Sequence, residues 1–152
     1  MLEIFRLVFF IGILAAISVY DARHAVIPNK IVYPAIIIAI ILALVSPEAS
    51  VVTSLLCGVV LAAILLIPVL LGRMGIGDLK LAFLIGLMTG FPDGILALFS
   101  GIALGGLCAI VLVVFRVKKA GDMIPYGPFL AAGTVAVLVA ERFSLLSFIY
   151  PL

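Results

Sequence analysis

Two acidic residues lie where an apolar stretch of the sequence meets a polar one. Asp21 follows the apolar run Leu7–Tyr20, and Asp78 comes shortly before the run Leu81–Phe91. An ionisable residue at membrane depth is costly, which makes it a candidate functional residue by default. If two carboxylates come close together, one keeps its proton; the ionised partner can then activate a water molecule while the protonated one polarises a carbonyl. Asp21 and Asp78 could therefore perform aspartyl protease chemistry, which needs no metal or other cofactor.

Other chemistries lack the residues that they require. His24 is the only histidine, which argues against a histidine-rich metal site and against a Ser-His-Asp triad. Cys57 and Cys108 lie inside apolar runs, and the sequence has no CxxC pair and no glycine loop of the Walker or dinucleotide type. With a net charge of +2 and no long basic run, nothing indicates nucleic-acid binding. We therefore expect no cofactor, no metal and no nucleic-acid partner.

The composition places any such site in a lipid bilayer. Of the 152 residues, 67% are hydrophobic and 11% are charged, whereas a soluble domain has about 45–50% apolar and about 25% charged residues. A membrane-spanning helix with its connector takes roughly 25 residues, so the length allows about six of them. Continuous apolar runs such as Ile31–Val45 lack the alternation of a β-barrel. The sequence predicts an all-α, polytopic bundle of about six transmembrane helices, forming one integral-membrane domain over residues 1–152.

The apolar runs predict where these helices lie. They are Leu7–Tyr20 extended back to Met1, Ile31–Val45 with Asn29 as its N-cap, Val51–Leu71, Leu81–Phe91, Ile95–Phe115, and Phe129–Ala140, with Phe143–Leu152 as an extension of the sixth or an interfacial segment. The fourth helix is short, because Leu79–Phe91 spans only 13 residues, or about 20 Å. The hydrocarbon core is ~30 Å thick. We therefore expect the segment Gly75–Asp78 to dip below the membrane surface before this helix begins.

The basic residues predict the orientation. Seven of the nine Lys and Arg residues fall in three loops that lie on one side of a six-helix bundle: Arg23, Lys30, Arg73, Lys80, Arg116, Lys118 and Lys119. The positive-inside rule then places these loops in the cytoplasm and both termini outside. Asp21 and Asp78 share the cytoplasmic side.

The helix ends next to the two aspartates predict different roles for them. Asp21 lies at the negative C-terminal end of the first helix, which raises a pKa, and Asp78 at the positive N-terminal end of the fourth, which lowers one. Asp21 is thus the predicted acid and Asp78 the predicted base, although a coupled pair titrates as a unit. Gly75 and Gly77 have no Cβ, so their backbone could form an open edge that holds an extended peptide by strand addition.

Three motifs, in this order along the chain, resemble those of the type IV prepilin peptidases. They are Asp21-Ala-Arg-His-Ala-Val-Ile-Pro-Asn29, Gly75-Ile-Gly-Asp-Leu-Lys-Leu81 and Ile124-Pro-Tyr-Gly-Pro-Phe-Leu-Ala-Ala-Gly133. This family comprises membrane aspartyl peptidases of the GxGD type, a motif shared with presenilins and signal peptide peptidases. The resemblance covers most of the chain and implies that Asp21 and Asp78 are the catalytic pair. It also implies prepilin or pseudopilin-like substrates, cleaved after a short basic leader, and a location in the prokaryotic inner (plasma) membrane.

Longer members of this family carry a cytoplasmic domain with two CxxC pairs after the first span, and many also methylate the new N-terminus with S-adenosylmethionine. Only nine residues separate Asp21 from Ile31 in this sequence. The chain is thus similar to the short form, akin to pilus-assembly and preflagellin peptidases, and the sequence leaves open whether it methylates the new N-terminus. The expected partners are precursor peptides and the lipid bilayer, with the oligomeric state left open.

The motifs also nominate supporting residues around the pair: Gly75, Gly77, Lys80, Ile27, Pro28, Asn29, Pro125, Gly127 and Pro128. Structural alternatives exist for Asp78 and for some of these residues. Asp78 could serve as a helix cap, Lys80 could be an anchor at the membrane surface, and Ile27–Asn29 could be a turn that orients the second helix. The pairs Gly86/Gly90 and Gly101/Gly105 have the GxxxG spacing, which indicates helix packing within the chain rather than dimerisation.

Two other functions would fit a small membrane protein with buried acids. A proton-coupled carrier could use Asp21 and Asp78 as a relay, but carriers are built from internal repeats with acids near the midplane. The two halves of this sequence share neither motif nor loop spacing. An accessory scaffold in a secretion complex would tolerate the loss of both aspartates.

Overall fold

A computed structural model describes residues 2–45, 50–117 and 124–142, and within these ranges every regular element is an α-helix. There are six: α1 (Leu2–His24), α2 (Asn29–Val45), α3 (Val51–Leu70), α4 (Ile76–Thr89), α5 (Asp93–Val114) and α6 (Gly127–Arg142). The predicted all-α class is thus confirmed. Lys118, Lys119 and the predicted segment Phe143–Leu152 lie outside the described residues.

Three of these helices are long and apolar enough to cross a membrane, within Ile4–His24, Val51–Leu70 and Asp93–Val114, and α2 and α6 are shorter apolar helices. Large apolar side chains point outward from them, among them Ile4, Leu56 and Leu107, which are more than half exposed. Exposing such an apolar surface to water is unfavourable, whereas in a bilayer it contacts lipid tails. The chain is an integral membrane protein.

Helix α4 lies inside the bundle, where it packs against α2, α3, α5 and α6. Its buried residues run around the helix and include Leu81, Ala82, Leu84, Ile85, Leu87 and Met88. A helix that is apolar on all sides is buried by its neighbours. Its 14 residues therefore need not match the bilayer thickness, because α4 is surrounded mainly by protein.

Glycines allow this close packing. A side chain at Gly86 would place a Cβ 2.6 Å from the Cα of Gly58, so α3 and α4 touch backbone to backbone. A Cβ at Gly101 of α5 would lie 2.8 Å from the Cα of Leu130 in α6, and one at Gly105 would lie 2.7 Å from the Tyr126 ring. The interpretation of Gly86, Gly101 and Gly105 as contacts within the chain is confirmed.

Helices α1 and α4 run in opposite directions. Near the start of α1, the guanidinium of Arg6 donates a hydrogen bond to the carbonyl of Met88, close to the C-terminal end of α4. At the other end of the bundle, the last turns of α1 and the first turn of α4 border one cavity. This antiparallel arrangement brings Asp21 and Asp78 to the same end of the molecule.

Two predicted helix boundaries are wrong. Helix α4 begins at Ile76 with Gly75 as its N-cap, so Asp78 belongs to the first turn and does not precede the helix. Asn29 is the first residue of α2 rather than its cap, and the carbonyl of Pro28 accepts the N–H groups of Ile31 and Val32. The Asn29 side chain is instead engaged by a contact with α4, as described below.

Candidate active site

A cavity of about 470 Å³ opens at the end of the bundle where α1 finishes and α4 begins. Its wall comes from three parts of the chain, the α1–α2 turn, the start of α4 and the segment before α6. The lining residues are Asp21, Ala25, Val26, Ile27, Asn29, Arg73, Met74, Gly75, Ile76, Gly77, Asp78, Lys80, Ile124, Pro125 and Tyr126. These three parts contain the three motifs that the sequence predicts to act together.

Asp21 lies in the last turn of α1, and its side chain is only 3% exposed. Its Oδ2 accepts a hydrogen bond of 2.9 Å from the backbone N–H of Gly127, at the start of α6. A Cβ at position 127 would lie 2.6 Å from the same oxygen. The first N–H groups of a helix have no partner inside the helix and favour an anion. A residue with a side chain could not bring its N–H this close, which explains the glycine.

Asp78 lies in the first turn of α4 and is 8% exposed. Its Oδ2 accepts a hydrogen bond of 3.0 Å from the N–H of Gly75. That contact is one half of a capping box; glycine has no side chain to supply the other half. Asp78 therefore does cap the helix, and it also borders the cavity. The same carboxylate can serve both roles, because the cap uses only Oδ2 and leaves the other oxygen.

The pKa of Asp78 is higher than the helix end alone would suggest. This residue comes before the apolar run of α4 and outside the three membrane-spanning helices. Burial raises its pKa to about 6; the Gly75 N–H lowers it and the nearby charge of Asp21 raises it further. The predicted lowering of the pKa at Asp78 is wrong, because removing water from a carboxylate outweighs the partial positive charge of one helix terminus.

The structure places the two aspartates at one cavity although 56 residues lie between them in sequence. Both line one cavity, and the negative charge of Asp21 raises the pKa of Asp78. Two buried carboxylates that interact in this way hold one proton between them at a pH below about 6, where Asp78 loses its proton. Such a pair can take a proton from water on one side and donate a proton on the other.

Gly77 allows the α1–α2 turn to approach α4. A Cβ at this position would lie 2.7 Å from the Cβ of Ile27, a buried residue. The predicted open edge beside Asp78 is therefore wrong at Gly77. Gly77 is helical and its free side is filled by Ile27, and Gly75 has an ordinary extended backbone with φ −81° and ψ 151°.

Lys80 links α4 to α2 at the cavity wall. Its Nζ donates a hydrogen bond of 2.9 Å to Oδ1 of Asn29 and lies 4.7 Å from the centre of the Tyr33 ring. A side chain that only anchored the helix at the membrane surface would extend into the headgroups, whereas that of Lys80 contacts two defined partners. The Asn29 side chain is engaged by this contact, so it does not cap its own helix.

Most of the predicted supporting residues belong to the site. Six of them line the cavity, namely Ile27, Asn29, Gly75, Gly77, Lys80 and Pro125, and Gly127 holds Asp21. Pro28 and Pro128 are not among the lining residues. Sequence reasoning missed six lining residues, namely Ala25, Val26, Arg73, Met74, Ile76 and Ile124. Arg73 and Met74 directly precede Gly75, and the other four lie within the three motifs. Their position in or next to a motif is the signal that could have identified them.

The sequence model of the Type IV leader peptidase family matches residues 8–110 of this chain. Three curated relatives carry the name prepilin leader peptidase/N-methyltransferase. The protein from Pseudomonas putida is 31% identical over 143 residues, covering 85% of this chain and 48% of the relative. Those from Bacillus subtilis and Pseudomonas aeruginosa are 30% and 28% identical over 137 residues, covering 88% and 85% of this chain and 55% and 47% of the relatives. The chain thus spans about half the length of these relatives. No solved structure matches it.

Proposed function

The chain belongs to the type IV leader peptidase family, and on that premise we propose that it is an intramembrane aspartyl endopeptidase with Asp21 and Asp78 as its catalytic pair. The observation that supports this proposal is that two buried carboxylates, one from α1 and one from α4, line one cavity. In this proposal, residues 1–152 form one integral-membrane peptidase domain.

The chemistry uses the single proton that the pair holds. The ionised carboxylate takes a proton from a water molecule, and the resulting hydroxide attacks the carbonyl carbon of the scissile peptide bond. The protonated carboxylate polarises the carbonyl oxygen, and a proton then passes to the leaving nitrogen as the C–N bond breaks. We assign the acid and base roles to the pair as a unit, because the raised pKa of Asp78 removes the basis for making it the base.

The proposed substrates are prepilin or pseudopilin-like precursors. Such a precursor has a basic leader that stays in water and an apolar helix that lies in the bilayer. Its scissile bond would then fall at the depth of the cavity, which lies at one end of the bundle. In this proposal that end faces the cytoplasm of a prokaryotic cell, both termini lie outside, and the exposed apolar side chains of α1, α3 and α5 face lipid.

The test is co-expression of a prepilin-like precursor with the wild-type chain and with Asp21→Asn or Asp78→Asn. Asparagine keeps the size of the side chain and an oxygen for the glycine N–H, but it cannot hold or release the shared proton. Asp93→Asn is the matched control, because Asp93 is an acid in the first turn of α5 that does not line the cavity. We expect the leader to be removed by the wild type and by Asp93→Asn only.

Leader removal that persists in Asp21→Asn or Asp78→Asn would contradict the proposal. Leader removal that persists in both variants would favour the function of an accessory scaffold. If neither the wild type nor any variant removes the leader, while the wild type moves protons across vesicles and Asp78→Asn does not, a proton-coupled carrier would be favoured.

A further inference from the structure

The turn between α1 and α2, together with the first residue of α2, is fastened to α4 at two points, one on each side of Asp78. On the N-terminal side, Ile27 fills the space that a Cβ at Gly77 would occupy. On the C-terminal side, Lys80 reaches Asn29 with a hydrogen bond of 2.9 Å. Both anchored residues follow Asp21 closely in sequence, so the two fastenings connect the chain that carries one carboxylate to the helix that carries the other.

The two fastenings differ in kind. The Ile27 contact is apolar and depends on shape, and it prevents the turn from moving closer to α4. The Lys80 contact has direction, because an ammonium donates to one amide oxygen while it sits 4.7 Å from the centre of an aromatic ring. A cation close to an aromatic ring is held electrostatically. The partners of Lys80, an amide and a ring, are both neutral, so its positive charge is not cancelled by them at the cavity wall.

We propose that Lys80 is a positioning residue, which acts through Asn29 and Tyr33 to hold the start of α2 on α4 and thereby sets the separation of Asp21 and Asp78. This role rests on the proposed peptidase function. It assigns to Lys80 no contact with the substrate and no proton transfer. A displacement of about 1 Å between reacting groups can lower a rate by about 100-fold, so loosening one fastening is expected to affect the chemical step.

The experiment compares variants of the full chain, purified in detergent, on a prepilin-like precursor that the wild type cleaves. Lys80→Met keeps the length of the side chain and removes the hydrogen bond and the charge. Lys80→Arg keeps a cation that can stack on Tyr33 and bond to Asn29. Lys30→Met is the matched control, because Lys30 is an exposed lysine next to Asn29 in α2 that does not line the cavity.

We expect Lys80→Met to lower kcat by about 10- to 100-fold with less than about a threefold change in KM. Lys80→Arg should retain more of kcat than Lys80→Met does, and Lys30→Met should behave as the wild type. Asn29→Leu should reproduce the loss, because it removes the other end of the same contact. In the double variant the two losses should not multiply, since one contact cannot be lost twice.

Several results would overturn this role. They are a wild-type kcat in Lys80→Met, a loss that appears in KM alone, or losses in Lys80→Met and Asn29→Leu that multiply in the double variant. Unfolding temperatures in detergent accompany each assay; if Lys80→Met does not fold, Lys80→Arg and Asn29→Leu decide the question by the same criteria. Asp78→Asn, assayed in parallel, separates the two proposals. If Asp78→Asn cleaves the precursor, the peptidase assignment fails. If Lys80→Met cleaves it as fast as the wild type and Asp78→Asn does not cleave it, only the positioning role fails.

Discussion

The contact between Gly127 and Asp21 yields the sharpest prediction, which is that Gly127→Ala lowers the turnover of a folded protein. A Cβ at this position would lie 2.6 Å from Oδ2 of Asp21, 3.1 Å from its Cγ and 3.2 Å from its Cβ. Ordinary contacts between heavy atoms are at about 3.5 Å, so the Asp21 carboxylate and the start of α6 must separate by about 0.9 Å. The 2.9 Å hydrogen bond from the Gly127 N–H would be lost or lengthened.

The expected magnitude follows from that displacement. A shift of about 1 Å in a catalytic group costs about 100-fold in rate, so we expect kcat to fall by that order, with KM changed much less. The fold should tolerate the change, because Gly127 is not among the residues with a positive φ and overpacking one side chain costs about 1–3 kcal/mol. The assay is cleavage of a precursor in detergent, with an unfolding curve for each variant.

Two glycine variants serve as controls for Gly127→Ala. Gly12→Ala lies on α1, the helix of Asp21, and its Cβ would meet nothing within 4 Å, so both activity and stability should stay close to wild type. Gly133→Ala overpacks the α5–α6 contact away from the cavity, 2.7 Å from the Cα of Gly101, and should lower stability while the folded protein keeps its kcat. A Gly127→Ala protein that turns over as fast as the wild type would refute the reasoning. A Gly133→Ala protein with an equal loss of kcat would refute it too, since overpacking alone would then explain the effect.

Three further predictions concern the pair and the packing of α4. Because burial raises the pKa of Asp78 to about 6, the pair keeps its shared proton below that pH and loses it above, so kcat/KM should fall as the pH rises through about 6; a kcat/KM that rises from pH 5 to 8 would contradict this. Replacing Arg6 by Ala removes a charged hydrogen bond to the Met88 carbonyl and should lower the free energy of unfolding in detergent by about 1.5–3 kcal/mol, with Arg6→Lys in between; equal unfolding curves for Ala and wild type would show that the contact contributes nothing. Gly86→Ala should destabilise by about 1–3 kcal/mol because its Cβ would lie 2.6 Å from the Cα of Gly58, whereas Gly106→Ala, with nothing within 4 Å, is the neutral comparison.

Several features of this protein could be predicted from its sequence because they depend on composition and on neighbours along the chain. A chain that is 67% hydrophobic and 11% charged partitions into lipid whatever its topology, and continuous apolar runs form helices there because each backbone group must find a partner within its own segment. The order of the six helices and most of their boundaries follow from those runs. Asp21 and Asp78 could be singled out for the same reason, since an acid beside an apolar run is costly wherever the helices pack.

Other features depend on residues that are far apart in sequence, and only the tertiary structure decided them. The partner of Asp21 is the N–H of Gly127, and that of Asn29 is Lys80, so Asn29 does not cap its own helix. Ile27 fills the space beside Gly77, which removes the predicted open edge at that residue. The sequence shows that Asp78 lies near a helix terminus, and this led to the wrong prediction of a lowered pKa. The burial that raises the pKa depends on how α2, α3, α5 and α6 pack around α4. Local pattern thus determined which groups this protein has to accommodate, and the packing of distant segments determined what surrounds them, because desolvation and contact depend on distance in space.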